Sequence, residues 1–475
     1  MLNLNYYYPQ VYWNCACLTV EGQCDEGSTK GGIDYGKIAR AIYKMKKHNV
    51  QVLPPDINTS NLGFTPIEED NTIRFGLAGI SGINQDIAKE IIEGRPYTSF
   101  KQFYDYHKEL KVLTGEFNED GQEMYRNTLV TKSKMINLIK SGSFDCFNPN
   151  RIVLMKWLCV YETGKKEKLT TANLPKCIEL GVNLPKDLVK AYNFKKYVCS
   201  KDFFYSVNAN AKSKKDYILE PKFAKPYFEE HFMDRRNSKG VPYFTEEKDF
   251  YYDNGNMIVV DKALEKAMEK ELEQLKGYLN QQDVIDDFNK KNLLSEYRNM
   301  IETDDVNKWS FDSVCFYDKQ HELAHIDLEP YNISKFSELP EEPFFEDSKG
   351  RGGKVWRRYS LSRICGTILS RNDTNHLVDI LTVDDEVVTL NIPQGQFGFY
   401  KKVISENIDG KKVTIEDSWL KRGNKIMVCG FRRGEAFFVK RYAKSIYQHS
   451  IVLIERINEN GSLDLKLERY NPNEE

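Results

Sequence analysis

The chain has 475 residues, 40% of them hydrophobic and 29% charged, with 68 Lys and Arg against 70 Asp and Glu for a formal net charge of −2. This is the composition of globular domains, roughly three at about 150 residues each, and it excludes disordered, collagen-like and fibrous chains. Near-neutrality also excludes a uniformly basic coat for nucleic acid, while leaving room for local patches. The ten cysteines contain no C-x-x-C pair and are too sparse for a disulfide scaffold, so scattered thiols in a reducing cytoplasm are expected. No segment reads as a membrane span. Residues 1–20 carry no charge, yet they lack the basic start and unbroken apolar core of a signal peptide.

Pro9 suits the first turn of a helix, with Val11, Cys15 and Leu18 on one face. Asp34 is a candidate N-cap for a second helix, where Ile38, Ala41, Ile42 and Met45 form an apolar stripe. Val50 to Leu53 reads as a short extended run, stopped by Pro54 and Pro55. Core packing accounts for these apolar positions without any further role.

The run Leu77-Ala78-Gly79-Ile80-Ser81-Gly82-Ile83-Asn84, followed by Ala88, Ile91 and Ile92, has the pattern of a helix-hairpin-helix motif. Gly82 and Asn84 tolerate positive φ, so a tight hairpin fits between two helices, the second starting near Gln85. Outward amides of the hairpin and of that helix start would make an anion site suited to a DNA phosphate. The bland alternative is an ordinary helix corner with a glycine turn. A second such unit is expected from Lys132 to Asp145, with Met135, Leu138 and Ile139 apolar and Gly142 ending the helix. The candidate duplex-binding residues are Gly79, Ser81, Gly82, Asn84, Lys89, Lys132, Lys134 and Lys140. For each lysine the alternative is a solvated helix face.

Residues 151–260 are rich in Tyr, Phe and Lys with weak periodicity and read as a mixed connector. Residues 261–347 hold 22 acidic against 10 basic side chains, and Ala263 to Lys276 alternates Glu and Lys as in a solvated helix. Glu346 to Lys354, with Gly350, Gly352 and Gly353, reads as a linker. Inside the acidic segment, His321-Glu322-Leu323-Ala324-His325 formally matches the H-E-x-x-H pattern of zinc proteases. A polar stretch precedes it, Pro330 follows it, and no third ligand is evident, so the metal reading is a remote rival and no metal site is expected.

Beyond the linker the period changes to two. Leu361–Leu369, Leu377–Val383, Val387–Ile392, Lys425–Phe431 and Ala436–Val439 are strand candidates, and Pro393 to Ser405 has helical character. Five strands with a helix between the third and fourth is the order of an OB-fold barrel. Residues 349–444 carry 19 Lys and Arg against 10 Asp and Glu, which points this module at phosphate. The candidate single-strand contacts are Arg358, Arg363, Arg371, Lys401, Lys402, Arg422, Arg432, Arg433, Lys440 and Arg441. Phe397, Phe399, Tyr400, Trp419, Phe431, Phe437 and Phe438 are interleaved, either as barrel core or as stacking rings. Arg432 and Arg433 are expected to be exposed. A competing expectation has the basic barrel docked on the acidic 261–347 segment.

In order along the chain, several runs resemble one family. Tyr8-Pro9-Gln10-Val11-Tyr12-Trp13-Asn14-Cys15-Ala16-Cys17-Leu18, Val52-Leu53-Pro54-Pro55-Asp56-Ile57-Asn58 with Ser60, Ile73-Arg74-Phe75-Gly76-Leu77 through Ile83, and Leu138-Ile139-Lys140-Ser141-Gly142-Ser143-Phe144-Asp145 resemble the bacterial DNA polymerase III alpha subunit, of polymerase family C. Trp309-Ser310-Phe311-Asp312-Ser313 with Phe316-Tyr317 and His321-Glu322-Leu323, and Arg422-Gly423-Asn424-Lys425 with Gly430-Phe431-Arg432-Arg433, are similar to its phage branch.

The resemblance implies a multidomain α+β chain, mostly helical in its N-terminal half. Its expected segments are a distal fingers remnant (1–66), tandem helix-hairpin-helix (67–150), mixed connector (151–260), acidic helical segment (261–347), OB-fold (355–450) and a C-terminal strand and tail (451–475). In this family the palm aspartates and the PHP domain precede the fingers, and no palm-like carboxylate pair is evident here. No catalytic residue is therefore assigned, and the chain is expected to be inactive alone. Mg²⁺ is expected in the absent palm, since nucleotidyl transfer needs metals held by carboxylates. The expected partners are duplex and single-stranded DNA, a palm- and PHP-bearing chain and the sliding clamp, although Gln394-Gly395-Gln396-Phe397 is too weak to serve as a clamp motif. No membrane partner is expected. A free-standing DNA-binding accessory protein is the alternative from another class.

Overall fold

Capping chemistry sets where the N-terminal helices begin. The computed structural model describes residues 10–22, 33–200, 204–205, 216–236, 239–242, 244–253, 255–319, 321–349, 355–408, 411–443 and 445–470. Tyr8, Pro9 and the expected linker glycines Gly350, Gly352 and Gly353 lie outside the described residues. Helix α1 (Gln10–Glu21) buries Val11, Cys15 and Leu18. Helix α2 (Tyr35–Lys46) starts at Asp34, whose carboxylate accepts from the Gly36 and Lys37 amides. That satisfies two of the donors a helix start leaves open. Its buried face is Ile38, Ala39, Ile42, Tyr43 and Met45, while Ala41 is only half-buried. The stripe is thus rotated slightly from the expected one. Gln51–Leu53 runs parallel to Thr72–Arg74, which pairs antiparallel with Thr65–Ile67.

Helices α3 (Gln85–Glu93), α4 (Phe100–Glu109), α5 (Lys132–Lys140) and α6 (Arg151–Thr163) follow. Between α4 and α5 an antiparallel hairpin pairs Lys111–Phe117 with Glu123–Asn127. Glu90 of α3 ties its far end down, accepting from the Leu129 amide at 3.0 Å, from Arg126 at 2.9 Å and from the Thr128 hydroxyl. Burial raises the Glu90 pKa, but these donors outweigh it and hold the carboxyl below its usual range.

The chain divides into two compact units, residues 1–158 with 303–475, and residues 159–302. The second unit contains most of the expected connector together with the two acidic helices α7 (Asp261–Leu279) and α8 (Gln282–Met300). Its four-stranded sheet joins Phe204–Tyr205, Asp216–Ile218, Asn256–Val260 and Phe250–Asp253, with Phe194, Phe228, Phe232 and Met257 in the core. Leu264, Met268 and Leu275 of α7 are buried. The Glu/Lys alternation therefore marks one face of a packed helix, not a helix in solvent all round. The weak periodicity of this region reflects its short strands and a π turn at Glu229–Met233.

In the first unit, α9 (Val306–Val314) precedes the β region. Of the expected linker, the described residues 346–349 lie in a strand: Phe345–Lys349 pairs antiparallel with Val355–Tyr359. Strands β1 (Ser362–Asn372), β2 (Leu377–Thr382), β3 (Val387–Asn391), β4 (Lys425–Arg433) and β5 (Ala436–Val439) close a barrel in the order β1-β2-β3-β5-β4, with β4 pairing back to β1. β3 and β5 are parallel, and the other neighbours are antiparallel. Helix α10 (Gln394–Lys401) sits between β3 and β4 in sequence and sends Phe397 and Tyr400 into the core with Ile364, Val378, Trp419 and Phe437. This is the OB-fold arrangement. Two more strands, Ile451–Ile457 and Leu463–Lys466, extend the sheet from β4. Helix α2 also docks on the barrel, pairing Arg40 with Asp379, Lys46 with Asp385 at 2.8 Å and Lys47 with Glu386. Among the described residues, no helix is long and apolar enough to cross a membrane.

One buried cation joins these parts. Arg151 is 0% exposed. Its guanidinium donates to Asp145 at 3.0 and 2.7 Å, to Asp318, to the Lys140 carbonyl at 3.2 Å and to the Ser310 hydroxyl. Gly142, at φ +88°, leaves it room, because a Cβ there would lie 2.2 Å from the guanidinium. Replacing Arg151 with Met should cost about 3–5 kcal/mol, since the Asp318 carboxylate, its side chain 5% exposed, loses its cation. Chemical denaturation measures this, and a loss below about 1 kcal/mol would contradict the role given to Arg151.

Burial lowers two histidines, His107 and His321, from 6.5 to about 4. The unfolded chain takes up these protons near pH 6.5, whereas the folded one resists until about pH 4. Stability is therefore intact above pH 6.5 and falls as pH drops towards 4, by up to about 3 kcal/mol for each histidine. Melting temperature against pH should show this decline, and His107→Gln should reduce it. A profile flat across that window would contradict the burial.

Candidate nucleic-acid interface

The first hairpin is built differently from the expected helix pair. Its leading helix is a single 3-10 turn, Leu77–Gly79. Gly79 is buried against Phe75, and its N–H donates to the Gly76 carbonyl. It packs and does not face a ligand. The Ser81 N–H is also spent, donating to the Ser313 carbonyl at 2.8 Å. Only Gly82 uses positive φ, at +77°. Asn84 keeps an extended backbone and caps α3, its side chain accepting from the Ile87 amide at 3.0 Å.

Two outward amides remain. Gly82 and Asn84 are exposed, and neither N–H has a partner among the described residues. Lys134 approaches from α5: a Cβ on Gly82 would lie 3.6 Å from its ammonium. Asn137, one turn further along α5, donates to the Ser81 carbonyl at 2.7 Å and fixes the hairpin against that helix. The two expected units thus meet, with paired amides and one cation at the junction, a suitable cradle for a phosphate. Asn137 was not apparent as a site residue. Its only signal was an amide side chain beside the buried run Met135, Leu138 and Ile139.

The other lysines differ. Lys89 is exposed on α3, and Lys132 is half-buried at the start of α5. Lys140 lies 5.8 Å over the Trp309 ring, a packed position and not an open phosphate contact.

The barrel arginines also divide. Arg432 is not the exposed residue expected. Its guanidinium donates to the carbonyls of Phe336 (3.1 Å), Leu339 (2.9 Å) and Gly434 (2.8 Å) and lies 4.5 Å over the Phe336 ring. A fork with five donors suits a cluster of carbonyls, so the residue serves the fold. Arg363 likewise holds the carbonyls of Tyr331 and Ile446 at 2.7 and 2.6 Å. Arg422 donates to the Asp312 carbonyl at 3.2 Å and stacks 4.7 Å over Tyr35. Arg371 and Lys401 share Asp373, at 2.7 and 2.8 Å. The hydrogen bond from Lys401 and the charge of Arg371 hold the Asp373 carboxyl below its usual range.

Arg358, Lys402, Arg433 and Arg441 are exposed, and Lys440 is half-buried 4.7 Å over the Tyr359 ring. The aromatics split by strand alternation. Phe397, Tyr400, Trp419 and Phe437 fill the barrel, Phe399 is half-exposed, and Phe431 and Phe438 lie on the other side of the sheet in a second cluster, Phe431 buried and Phe438 half-buried. Tyr359, Phe431 and Phe438 form a near-parallel ladder, with centroids 4.3 and 5.6 Å apart and Arg433 over the last two rings.

Acidic residues from the segment before the barrel occupy some of its cations: Glu322 pairs with Lys425 at 2.7 Å and Glu341 with Arg432 at 3.7 Å. The H-E-x-x-H run does not fit zinc. It is a 3-10 turn, Glu322–His325, not an α-helix, so the histidines do not share a face as the zinc pattern requires. His321 is buried with Nε2 at 3.2 Å from the Thr367 hydroxyl, while His325 is exposed. Among the described residues, no three His, Cys, Asp or Glu side chains form a group able to hold a metal ion.

A family model described as "Helix-hairpin-helix motif" matches residues 49–154. The chain is 33% identical over 482 aligned residues to "Probable DNA polymerase YorL" of Bacillus subtilis (strain 168) and, equally, to "DNA-directed DNA polymerase" of Bacillus phage SPbeta. These alignments cover 98% of this chain and 34% of each relative, so the chain spans about a third of the length of the polymerases it matches. "DNA polymerase III subunit alpha" of Chlamydia trachomatis is 32% identical over 170 residues, 35% of this chain and 11% of the relative. In sequence, the chain is related to DNA polymerases, to a phage enzyme along almost its whole length and to DNA polymerase III alpha subunits along about a third of it.

Proposed function

We propose that the chain is the DNA-gripping portion of a family C replicative polymerase in the cytoplasm, working with a palm that lies outside these 475 residues. The observation that carries this reading is the hairpin whose free Gly82 and Asn84 amides sit beside Lys134, within the region matched by the helix-hairpin-helix model. Amides and a lysine read backbone phosphate and not base edges, so the hairpin holds template–primer duplex of any sequence. The barrel holds single-stranded template through its exposed cations, Lys402, Arg433 and Arg441 among them, and the half-exposed ring of Phe399. Nucleotidyl transfer, with its Mg²⁺, belongs to that palm.

The purified chain with primed template, Mg²⁺ and nucleotides is expected to give no primer extension. Metal-dependent extension by the pure protein would overturn the division of labour. Co-purification with a palm-bearing polypeptide separates this reading from a free-standing accessory protein.

Lys134→Glu should weaken duplex binding about tenfold, equally across sequences, and flatten the salt slope by about 0.9. It is a cleaner variant than Gly82→Val, which strains a positive φ and brings a Cβ within 2.8 Å of the Asn137 amide. Unchanged duplex affinity in folded Lys134→Glu protein would count against the hairpin as the grip.

A further inference from the structure

Helix α1 carries no charged side chain before its last residue, Glu21. One of its faces, Val11, Cys15 and Leu18, is buried in the first unit. The opposite face is apolar as well. Tyr12, Ala16 and Val20 follow one another at four-residue spacing along it, with Trp13 beside Tyr12. All four are exposed, Trp13 at 41% and Val20 at 65%. A helix that is apolar on both sides belongs inside a protein, because each such side chain left in water forgoes the gain of burial.

The outer face has the anatomy of an interface centre. Trp and Tyr are the side chains that most often anchor one. The Tyr12 hydroxyl donates to Glu68 at 2.9 Å, which fixes the ring before a partner arrives. Charge is confined to the rim, at Glu68 on one side and at the Glu21–Lys37 pair, 3.4 Å apart, at the end of the helix.

Two occupants fit poorly. Helices that lie on a membrane carry Lys or Arg beside the apolar stripe, and α1 has neither. A second copy needs more surface. Twelve residues make a helix about 18 Å long and about 10 Å wide, so one face offers roughly 200 Å². A stable complex buries about 800 Å² on each partner. Whatever covers α1 is therefore held to this chain by something else too. The chain covers 34% of each polymerase that it matches along its length, which leaves about two-thirds of those proteins without a counterpart here. A polymerase part bound to the same template–primer is such an occupant, since the shared DNA keeps it at high local concentration.

We infer that the outer face of α1 is the seam on which the palm-bearing part of the polymerase seats, with Trp13 and Val20 as its anchors. DNA brings the two parts together, and the small apolar seam fixes the angle between them. The inference rests on the DNA-gripping reading and adds to it the surface that meets the palm-bearing part.

The test combines the full chain, a fluorescein-labelled template–primer and a probe protein. The probe is the part of the Bacillus phage SPbeta polymerase that this chain does not match, its fold checked by cooperative melting. The wild-type chain should join the probe on the DNA, and Trp13 should gain protection from hydroxyl-radical oxidation, read by mass spectrometry. Trp13→Gln with Val20→Gln, both at exposed positions, should weaken the joining at least tenfold. Melting temperature and affinity for DNA alone should stay as in the wild-type chain. Joining at unchanged affinity, or Trp13 oxidised as fast in the complex as in the free chain, overturns the seam and leaves the DNA-gripping reading standing. So does an absence of joining although both parts bind the DNA. Self-association of the wild-type chain that the double variant loses gives the face to a second copy. Binding to phosphatidylglycerol vesicles that the variant loses gives it to a membrane, and either result overturns the seam. Failure of the wild-type chain to bind the template–primer overturns the DNA-gripping reading, and the seam with it.

Discussion

A buried guanidinium with carboxylates on two sides holds the first unit together. Arg151 reaches Asp145 in the second hairpin, Ser310 in α9 and Asp318 before the barrel. Those last partners lie 159 and 167 residues further along the chain. A buried ion pair of this kind is weak evidence for added stability, but breaking it is severe, because the Asp318 carboxylate stays out of water. Its worth lies in fixing geometry. With α9 pinned, the Ser313 carbonyl is in place to take the Ser81 amide, and the hairpin turn acquires one defined position.

What the sequence made legible was local. Asp34 signals its helix because an N-cap acts within three residues. The five barrel strands stand out because alternation is read residue by residue, and their order carried the barrel with it. Gly82 and Gly142 mark their turns because positive φ is a property of one residue. What stayed hidden depends on partners far away. Nothing near Gly79 says that Phe75 will fill the space above it. Nothing near Ser81 says that a carbonyl of residue 313 will take its amide. The unit 159–302 does not follow the change in composition at residue 261, because its cores join residues from both sides of that position.

The barrel shows the same limit in its charges. A count of cations marks the module as basic but cannot say which cations are free. Arginine with its planar fork is the residue most suited to gathering carbonyls, and Arg363, Arg422 and Arg432 do so here. The exposed set is mixed in type, with Lys402 and Arg433 both in it. Aromatic residues are sorted more simply, since neighbours on one strand face opposite ways: Phe437 enters the core, and Phe438 joins the outer ladder.

The first unit is discontinuous, made of residues 1–158 and 303–475, while the second is one continuous stretch. This bears on how the protein is made. During synthesis residues 159–302 can fold once that stretch has emerged, because the partners in their two cores all lie within it. The first unit has to wait. Arg151 lacks Ser310 and Asp318, and α2 lacks the barrel carboxylates 339 residues away, until those residues have emerged in their turn. Closing so long a loop is slow, but its entropic cost grows only with the logarithm of its length, and early folding of the insert shortens the effective loop. Changes that slow the insert's folding should lower the yield of soluble protein even where every contact of the hairpin and barrel is intact.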